Sequence, residues 1–468
     1  MPPSQPKKTI YRRSFLAGTT AAIAASSAAV RSASAANEKI NVGFIGYGLI
    51  GKRHVLDFRD QPDVKIAAFA ECHEGRLNEA KSLIGGNVRG HRDFRDLLDA
   101  KDIDAVVIST PDHWHALMTM LACAAGKDVY VEKPLTLFAR EGRWMVDVAK
   151  KHKRVVQVGT QQRSGPHYTR ARELITGGHI GKIVSVRMQS YRNIMPGFGP
   201  AADGPSPPDL DWNMFLGPAP DRPYNSLRGL YHFRWFWDYS GGQMTNLGQH
   251  SLDIVDWILG PLALKSVASF GGRFALADGG ETPDTQDAIF DFPGFTAAWS
   301  HREVAQGEPL GSSFVFYGTK GSLSLSRNGF TITPDRAIRP ENAVPQFTEG
   351  GQPIGGVARS RDPAAEQKLW TTALNDTSGN QLDQFRRHVR NFLDCIKSRQ
   401  QPISDLESGH RVSTLCHLAN LSLRLGRSLQ WDAKAETIPS DKEAAAVLER
   451  PYRAPWDREL KAAIGDRG

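Results

Sequence analysis

Residues 46–51 read Gly-Tyr-Gly-Leu-Ile-Gly. They fall between an apolar run that reads as a buried strand (Ile40, Val42, Phe44, Ile45) and a stretch with helical periodicity reaching about Arg59. Few short patterns restrict a fold so tightly. Gly46 permits the tight turn, and Gly48 lets the backbone approach a pyrophosphate. Gly51 lets the next helix pack closely on the strand, with the N–H groups at its start, around Leu49 and Ile50, aimed at phosphate oxygens. Glu71 stands twenty residues after Gly51, at the end of a second apolar run over 64–70. A carboxylate there accepts hydrogen bonds from an adenosine ribose and repels a 2′-phosphate, so the expected cofactor is NAD, with NADP possible.

The rhythm beyond the turn supports the same fold. Strand-like runs at 40–45, 65–70, 105–110, 128–131 and 155–159 alternate with helical stretches that include 93–98, 115–125 and 139–150. Such alternation predicts a parallel sheet with helices on both faces, a Rossmann domain over residues 37–160. After about residue 161 the pattern changes to several strands in succession, at 182–191, 266–274, 288–292, 296–301, 313–317 and 322–326. That predicts a second α+β domain with a largely antiparallel open sheet over 161–432. Helical periodicity returns at 381–397 and 408–425. Residues 335–380 look irregular, and 433–468 read as a tail without strong pattern, one that wraps the surface.

The first residues carry their own signal. Arg12-Arg13-Ser14-Phe15-Leu16 is a twin-arginine pattern, followed by an Ala/Gly/Thr-rich run over 17–30 and by Ala33-Ser34-Ala35, an A-x-A cleavage site. Residues 1–35 are therefore expected to be an export signal and the mature protein periplasmic or secreted, with no stable membrane anchor, the run being too short to span a bilayer. The leader also explains the basic balance. Five of the 58 Lys and Arg residues lie in it and no acid does, leaving 53 basic against 50 acidic residues elsewhere. That balance argues against a nucleic-acid partner. The four cysteines, Cys72, Cys123, Cys395 and Cys416, have no metal-like spacing, so neither zinc nor a disulfide framework is expected.

Candidate chemistry gathers at four places. Ser109-Thr110-Pro111-Asp112-His113-Trp114-His115 follows a parallel strand, where ligands of open α/β sheets bind; Thr110, Pro111, His113 and His115 are expected at the cofactor. Glu132-Lys133-Pro134 ends the next strand, and a lysine there can stabilise an alkoxide as hydride leaves. The run LYHFRWFWDY over 230–239 mixes aromatic faces suited to sugar rings with His232, Arg234 and Asp238, although a packed core strand accounts for its composition equally well. His250 follows a glycine-rich approach to a helix expected to begin near Ser251, and a histidine at a helix N-terminus is kept neutral and ready to accept a proton.

Taken together, GFIGYGLIGKRH (43–54), ECHEGR (71–76), STPDHWH (109–115), VEKPL (131–135), GTQQRS (159–164) and GGQMTNLGQHSLDIVDWILG (241–260) resemble the Gfo/Idh/MocA family, named for glucose–fructose oxidoreductase and inositol dehydrogenase. The export signal, WFWDY and the closing PYRAPW (451–456) resemble its secreted branch. The resemblance implies an NAD(P)-dependent oxidoreductase acting on a sugar, sugar derivative or cyclitol. It assigns Lys133 and His250 to catalysis, and it suggests a homo-oligomer formed through the C-terminal sheet. Cofactor contacts are then expected from Gly46, Gly48, Leu49, Ile50, Gly51, Glu71, Arg76, Glu132 and Lys133, and substrate contacts from Arg163, Tyr168, His232, Arg234, Trp235 and His250. One departure stands out. Asn246 occupies the place, four before the histidine, where the family commonly has aspartate. An amide orients an imidazole but cannot stabilise imidazolium by charge. Either the base is weaker, or Asp253 or Asp238 substitutes, or the tautomer differs. NAD-dependent glycosidases of the superfamily look similar here, so glycoside cleavage through transient oxidation is the alternative activity, and a non-catalytic sugar- or NAD-binding protein a further one.

Overall fold

The computed structural model describes residues 39–307, 314–336, 346–354 and 369–465; the expected export signal lies outside them. Six strands form a parallel sheet: β1 (Ile40–Ile45), β2 (Val64–Ala70), β3 (Arg89–His91), β4 (Ala105–Ile108), β5 (Asp128–Val131) and β6 (Val156–Val158). Their order is β3-β2-β1-β4-β5-β6, the doubly wound Rossmann arrangement. The strands are apolar throughout because both faces are covered: every residue of β4 is buried. Ala105 and Val107 point into one core with Phe44, Phe58 and Tyr130, while Val106 and Ile108 point into the other with Ile45, Met120 and Val131.

Neither core is completed by residues before 160. Val389, Phe392 and Leu393 of the helix Gln381–Ser398 fill the first. Trp456, Leu460 and Ala463 of the helix Trp456–Ile464 fill the second, with the Trp456 ring 4.7 Å from Trp114 and 6.1 Å from Phe94. The tail is thus core rather than surface wrapping. Its pattern is hard to see because one tryptophan supplies much of the anchor, and a single large aromatic leaves no periodic signal.

The second domain is built on a nine-stranded mixed sheet. Its pairs are antiparallel except one, where Phe295–Arg302 runs parallel to Ile183–Tyr191. Alternation puts Val186, Met188, Phe290, Trp299, Phe316 and Leu323 on one face, under the helices Gln249–Leu259 and Leu406–Leu425. The other face leaves Val184, Phe270, Ile289 and Tyr317 exposed. Among the described residues no helix is long and apolar enough to cross a membrane.

The segment between Tyr191 and Gln243, expected as a long loop and an aromatic run, crosses back to the Rossmann domain. Leu210 bridges to His73, Asp211 N–H donates to the Cys72 carbonyl (3.0 Å) and Glu74 N–H donates to the Asp209 carbonyl (2.8 Å). The aromatic run is a 3-10 helix over His232–Trp235 rather than a strand.

Candidate functional site

The glycine turn shows what each glycine does. Gly46 has φ +90°, and a Cβ there would lie 2.9 Å from the Ser109 backbone; a Cβ on Gly51 would lie 2.6 Å from the Gly46 carbonyl oxygen. Both positions are filled by protein. Gly48 is different: a Cβ there would meet only Arg76 Nη1, at 3.8 Å, so its open side is left for a ligand. The helix α1 (Leu49–Arg59) begins with no acid in its first turn, so its leading N–H groups are uncompensated. A pyrophosphate fits this cradle, and Arg76 adds a cation above it.

Glu71 is buried, and its carboxylate is occupied: Oε2 accepts from Tyr47 N–H (2.8 Å) and Oε1 from His73 N–H (2.9 Å). It holds the turn in shape as well as marking the ribose end. A cleft of about 840 Å³ runs from Gly46, Gly48, Leu49 and Ile50 past Glu71 and Arg76 to Thr110 and Pro111. Its roof comes from the second domain, through Met214, Phe215, Leu230, Tyr231, Phe233 and Arg234.

His113 and His115, expected at the cofactor, hold protein instead. His113 Nε2 meets the Phe215 carbonyl (2.9 Å) and so pins the roof. Burial, with the nearby Arg450 guanidinium, pulls it down to about 3, so it stays neutral. His115 Nδ1 meets the Pro134 carbonyl (2.7 Å) and Nε2 the Thr110 carbonyl (2.9 Å), tying the loop after β4 to the loop after β5. Glu132 also turns inward. Its Oε1 meets His54 Nε2 (2.7 Å) and its Oε2 accepts from Lys133 N–H (3.1 Å). Burial alone would raise this carboxyl; the His54 bond and the nearby cations outweigh it and hold it below the ordinary range.

Lys133 Nζ donates to both the backbone carbonyl and Oδ1 of Asn246, each at 2.9 Å. An ammonium has three N–H groups, so one remains for a substrate oxygen. Burial pulls the ammonium down to about 8, helped by Arg234 and Arg327 and opposed by Glu132 and Asp112. Asn246 lies on a π-helical turn, Met244–Gly248, which runs into the helix Gln249–Leu259. His250 is therefore not at a free helix start. Burial, with the charges of Lys133 and Arg327, holds it well below its ordinary value, and among the described residues Nδ1 is buried without a hydrogen-bond partner.

Among the described residues, neither Asp253 nor Asp238 stands in for the missing aspartate. Asp253 forms a buried two-point pair with Arg163 (2.7 and 2.9 Å), and Asp238 pairs with Arg222 (2.7 Å). Arg163 is consequently a structural cation rather than a substrate contact. Tyr168 is fully buried beside His167, and burial raises its hydroxyl. Trp235 is buried too, its indole N–H donating to Glu303 Oε2 (2.7 Å). His232 is half-buried with its ring 4.1 Å from Phe198, and Arg234 lies over the Tyr231 and Phe233 rings at the cleft. The residues that meet are thus Lys133, Asn246 and His250, with Arg234 joining them to the cleft.

Three contributors escape sequence reasoning. Gln243 sits one helical turn before Asn246, inside a motif already conspicuous, and its spacing was the available signal. Glu303, at the end of the strand Phe295–Arg302, and Arg327, in the turn between Gly321–Ser326 and Gly329–Pro334, carry none.

A roofed Rossmann cleft, together with a lysine and a histidine gathered at Asn246 where the second domain meets the first, defines a nicotinamide-dinucleotide oxidoreductase of two domains. The NAD-binding Rossmann model of the Gfo/Idh/MocA oxidoreductases matches residues 40–160, and the model of their C-terminal alpha/beta domain matches 189–267 and 373–458. The uncharacterised oxidoreductase YrbE of Bacillus subtilis is 30% identical over 297 residues, covering 62% of this chain and 75% of YrbE. The myo-inositol 2-dehydrogenase of Thermotoga maritima is 27% identical over 400 residues, covering 84% and 99%. Among solved structures, levoglucosan dehydrogenase with NADH and levoglucosan superposes with a TM-score of 0.62 at 18% identity, over 84% of this chain and 99% of that one; this likeness is one of fold. The chain belongs to the Gfo/Idh/MocA oxidoreductase family and is an NAD(P)-dependent oxidoreductase.

Proposed function

We propose that the protein oxidises a hydroxyl of a sugar, sugar derivative or cyclitol, is exported by the twin-arginine route, and keeps its dinucleotide as a prosthetic group. The juxtaposition of Lys133, with one N–H unused, and His250, held neutral beside it, carries the reading. The Lys133 ammonium binds the reacting hydroxyl oxygen and stabilises the charge that grows on it. His250 accepts the hydroxyl proton, and its neutrality at ordinary pH makes it available to do so. A bound nicotinamide ring supplies the hydride acceptor. The relatives named for inositol and levoglucosan support polyhydroxylated substrates.

Retention follows from the roof. The segments around Leu210–Phe215 and Leu230–Arg234 cross the cleft, and backbone bonds, a bridge and His113 fasten the first of them to the Rossmann domain. The twin-arginine route carries folded proteins, so the dinucleotide is loaded before export and recycled in place, by a second carbonyl substrate or by reversal of the first step. The exposed apolar face of the nine-stranded sheet, with Phe270 and Ile289, supports a homo-oligomer formed through it. The test is to purify the mature protein, denature it and assay the supernatant: about one nicotinamide dinucleotide per chain is expected. An empty protein that binds the dinucleotide only weakly contradicts retention.

One observation favours glycoside cleavage as a second reading: position 246 offers His250 an amide rather than a carboxylate, and that amide spends its oxygen on Lys133. Release of the aglycone from an aryl glycoside with no added cofactor, abolished by Lys133→Ala, would select it; oxidised sugar with the glycoside intact would exclude it.

A further inference from the structure

Lys133 and Glu303 lie at the two ends of a hydrogen-bonded chain. Lys133 Nζ donates to Asn246 Oδ1 (2.9 Å), Asn246 Nδ2 donates to Gln243 Oε1 (3.1 Å), and Gln243 Nε2 donates to Glu303 Oε1 (2.8 Å). Glu303 and Gln243 are both nearly fully buried. Glu303 also receives the Arg192 guanidinium on Oε1 and the Trp235 indole N–H on Oε2 (2.7 Å). Unambiguous donors thus reach both carboxylate oxygens.

The polarity of this chain is forced. An ammonium only donates and a carboxylate only accepts. Between them each amide has one workable orientation, carbonyl toward Lys133 and NH2 toward Glu303. We propose that Glu303, acting through Gln243 and Asn246, is the positioning residue that fixes the Lys133 ammonium, and that Asn246 is an amide rather than an acid because the carboxylate has moved two side chains away. The proposal rests on Lys133 being the residue that meets substrate.

The chain explains why aspartate does not suit position 246 here. A carboxylate there would face Gln243 Oε1, acceptor against acceptor, unless Gln243 turned and presented its own oxygen to Glu303. An amide at 303 does not relieve the conflict, because its NH2 group would meet the Arg192 guanidinium or the Trp235 N–H, donor against donor. Glu303 also ties Lys133 to the roof, since Trp235 belongs to the 3-10 helix whose Phe233 and Arg234 line the cleft.

Two readouts test this. The first is the acylation rate of Lys133 relative to exposed Lys65, followed by peptide mass spectrometry on the cofactor-loaded protein, which needs no substrate. The second is kcat/KM for oxidation. In Glu303→Gln we expect Lys133 labelling to rise severalfold and kcat/KM to fall about tenfold, as the amides lose their enforced direction. Gln243→Leu, which leaves the Glu303–Arg192 and Glu303–Trp235 bonds in place, should do the same with unchanged circular dichroism. Asn246→Asp alone should also impair. Glu303→Gln combined with Gln243→Leu should be little worse than either single variant, because both cut one chain, a coupling that independent damage cannot produce. Wild-type labelling in both Glu303→Gln and Gln243→Leu, or a double variant no better than the product of its singles, would overturn the proposal. If no hydroxyl compound is oxidised by the wild-type enzyme, the function proposed above fails while the labelling series still decides the chain.

Discussion

The dinucleotide cradle and the Lys133 cluster are built by different means. The dinucleotide end is local and made of backbone. Gly46, Gly48 and Gly51 are neighbours in sequence, and what they contribute is the absence of side chains and the N–H groups of α1. The proposed catalytic end is distant and made of side chains: Lys133 and Asn246 are 113 residues apart and meet only because the second domain lays its π-helical turn against the loop after β5. A backbone device either forms or does not, whereas a side-chain device can be weakened in steps. The two ends should therefore respond differently to substitution.

The largest effect on binding is expected from Gly51→Val. Its first side-chain carbon would lie 2.6 Å from the Gly46 carbonyl, so the turn and the helix after it cannot both keep their places. Titration should show dinucleotide binding weaker by about a hundredfold or more, equivalent to about 2.7 kcal/mol. Lys133→Ala should lower turnover about a thousandfold while leaving bound dinucleotide near one per chain, which separates the two ends cleanly. His250→Asn should lower it by about a hundredfold, since a proton can still leave to water.

The pH profile sharpens the contrast within the catalytic end. Lys133 must keep its proton to stabilise the oxygen, and its ammonium titrates near 8. Turnover should therefore fall as pH rises through about 8, roughly tenfold per unit at the limit. His250 must be without its proton, and its value lies well below the ordinary one, so the acid limb should sit below pH 6.5. Lys133→Arg, always charged, should lose the alkaline limb at a reduced plateau. The smallest effect on chemistry is expected from Arg163→Leu. It leaves Asp253 buried without its partner and should cost about 3–5 kcal/mol of stability in denaturant unfolding, with cofactor content unchanged in the folded fraction.

The same contrast governs what could be read in advance. The glycine turn and the sheet order behind it are legible because their signals are contiguous and periodic, and β1 to α1 lies where the pattern puts it. Lys133 and His250 are legible as residue types in motifs. Their wiring is not, because a hydrogen-bond direction depends on what stands at the far end, and Glu303 is a lone acid after an ordinary strand. Arg163 and Trp235 mislead for a related reason. Residue type shows that a guanidinium or an indole will find a partner, but only packing shows that the partner is Asp253 or Glu303 rather than a sugar. His113 and His115 lie at the right strand end and turn to backbone carbonyls. The closing helix is missed because Trp456 fills a core that begins more than 300 residues earlier.

In the function proposed, the dinucleotide and Lys133 meet over one substrate carbon. The most direct measurement mixes the purified, cofactor-loaded protein in a single turnover with a panel of sugars, cyclitols and glycosides and follows the reduced nicotinamide by fluorescence. Reduction by at least one polyhydroxylated compound is expected in wild type, and none on that timescale in Lys133→Ala with equal dinucleotide bound. Reduction at the same rate in both proteins, or full dinucleotide occupancy with no reduction by any member of the panel, would contradict it.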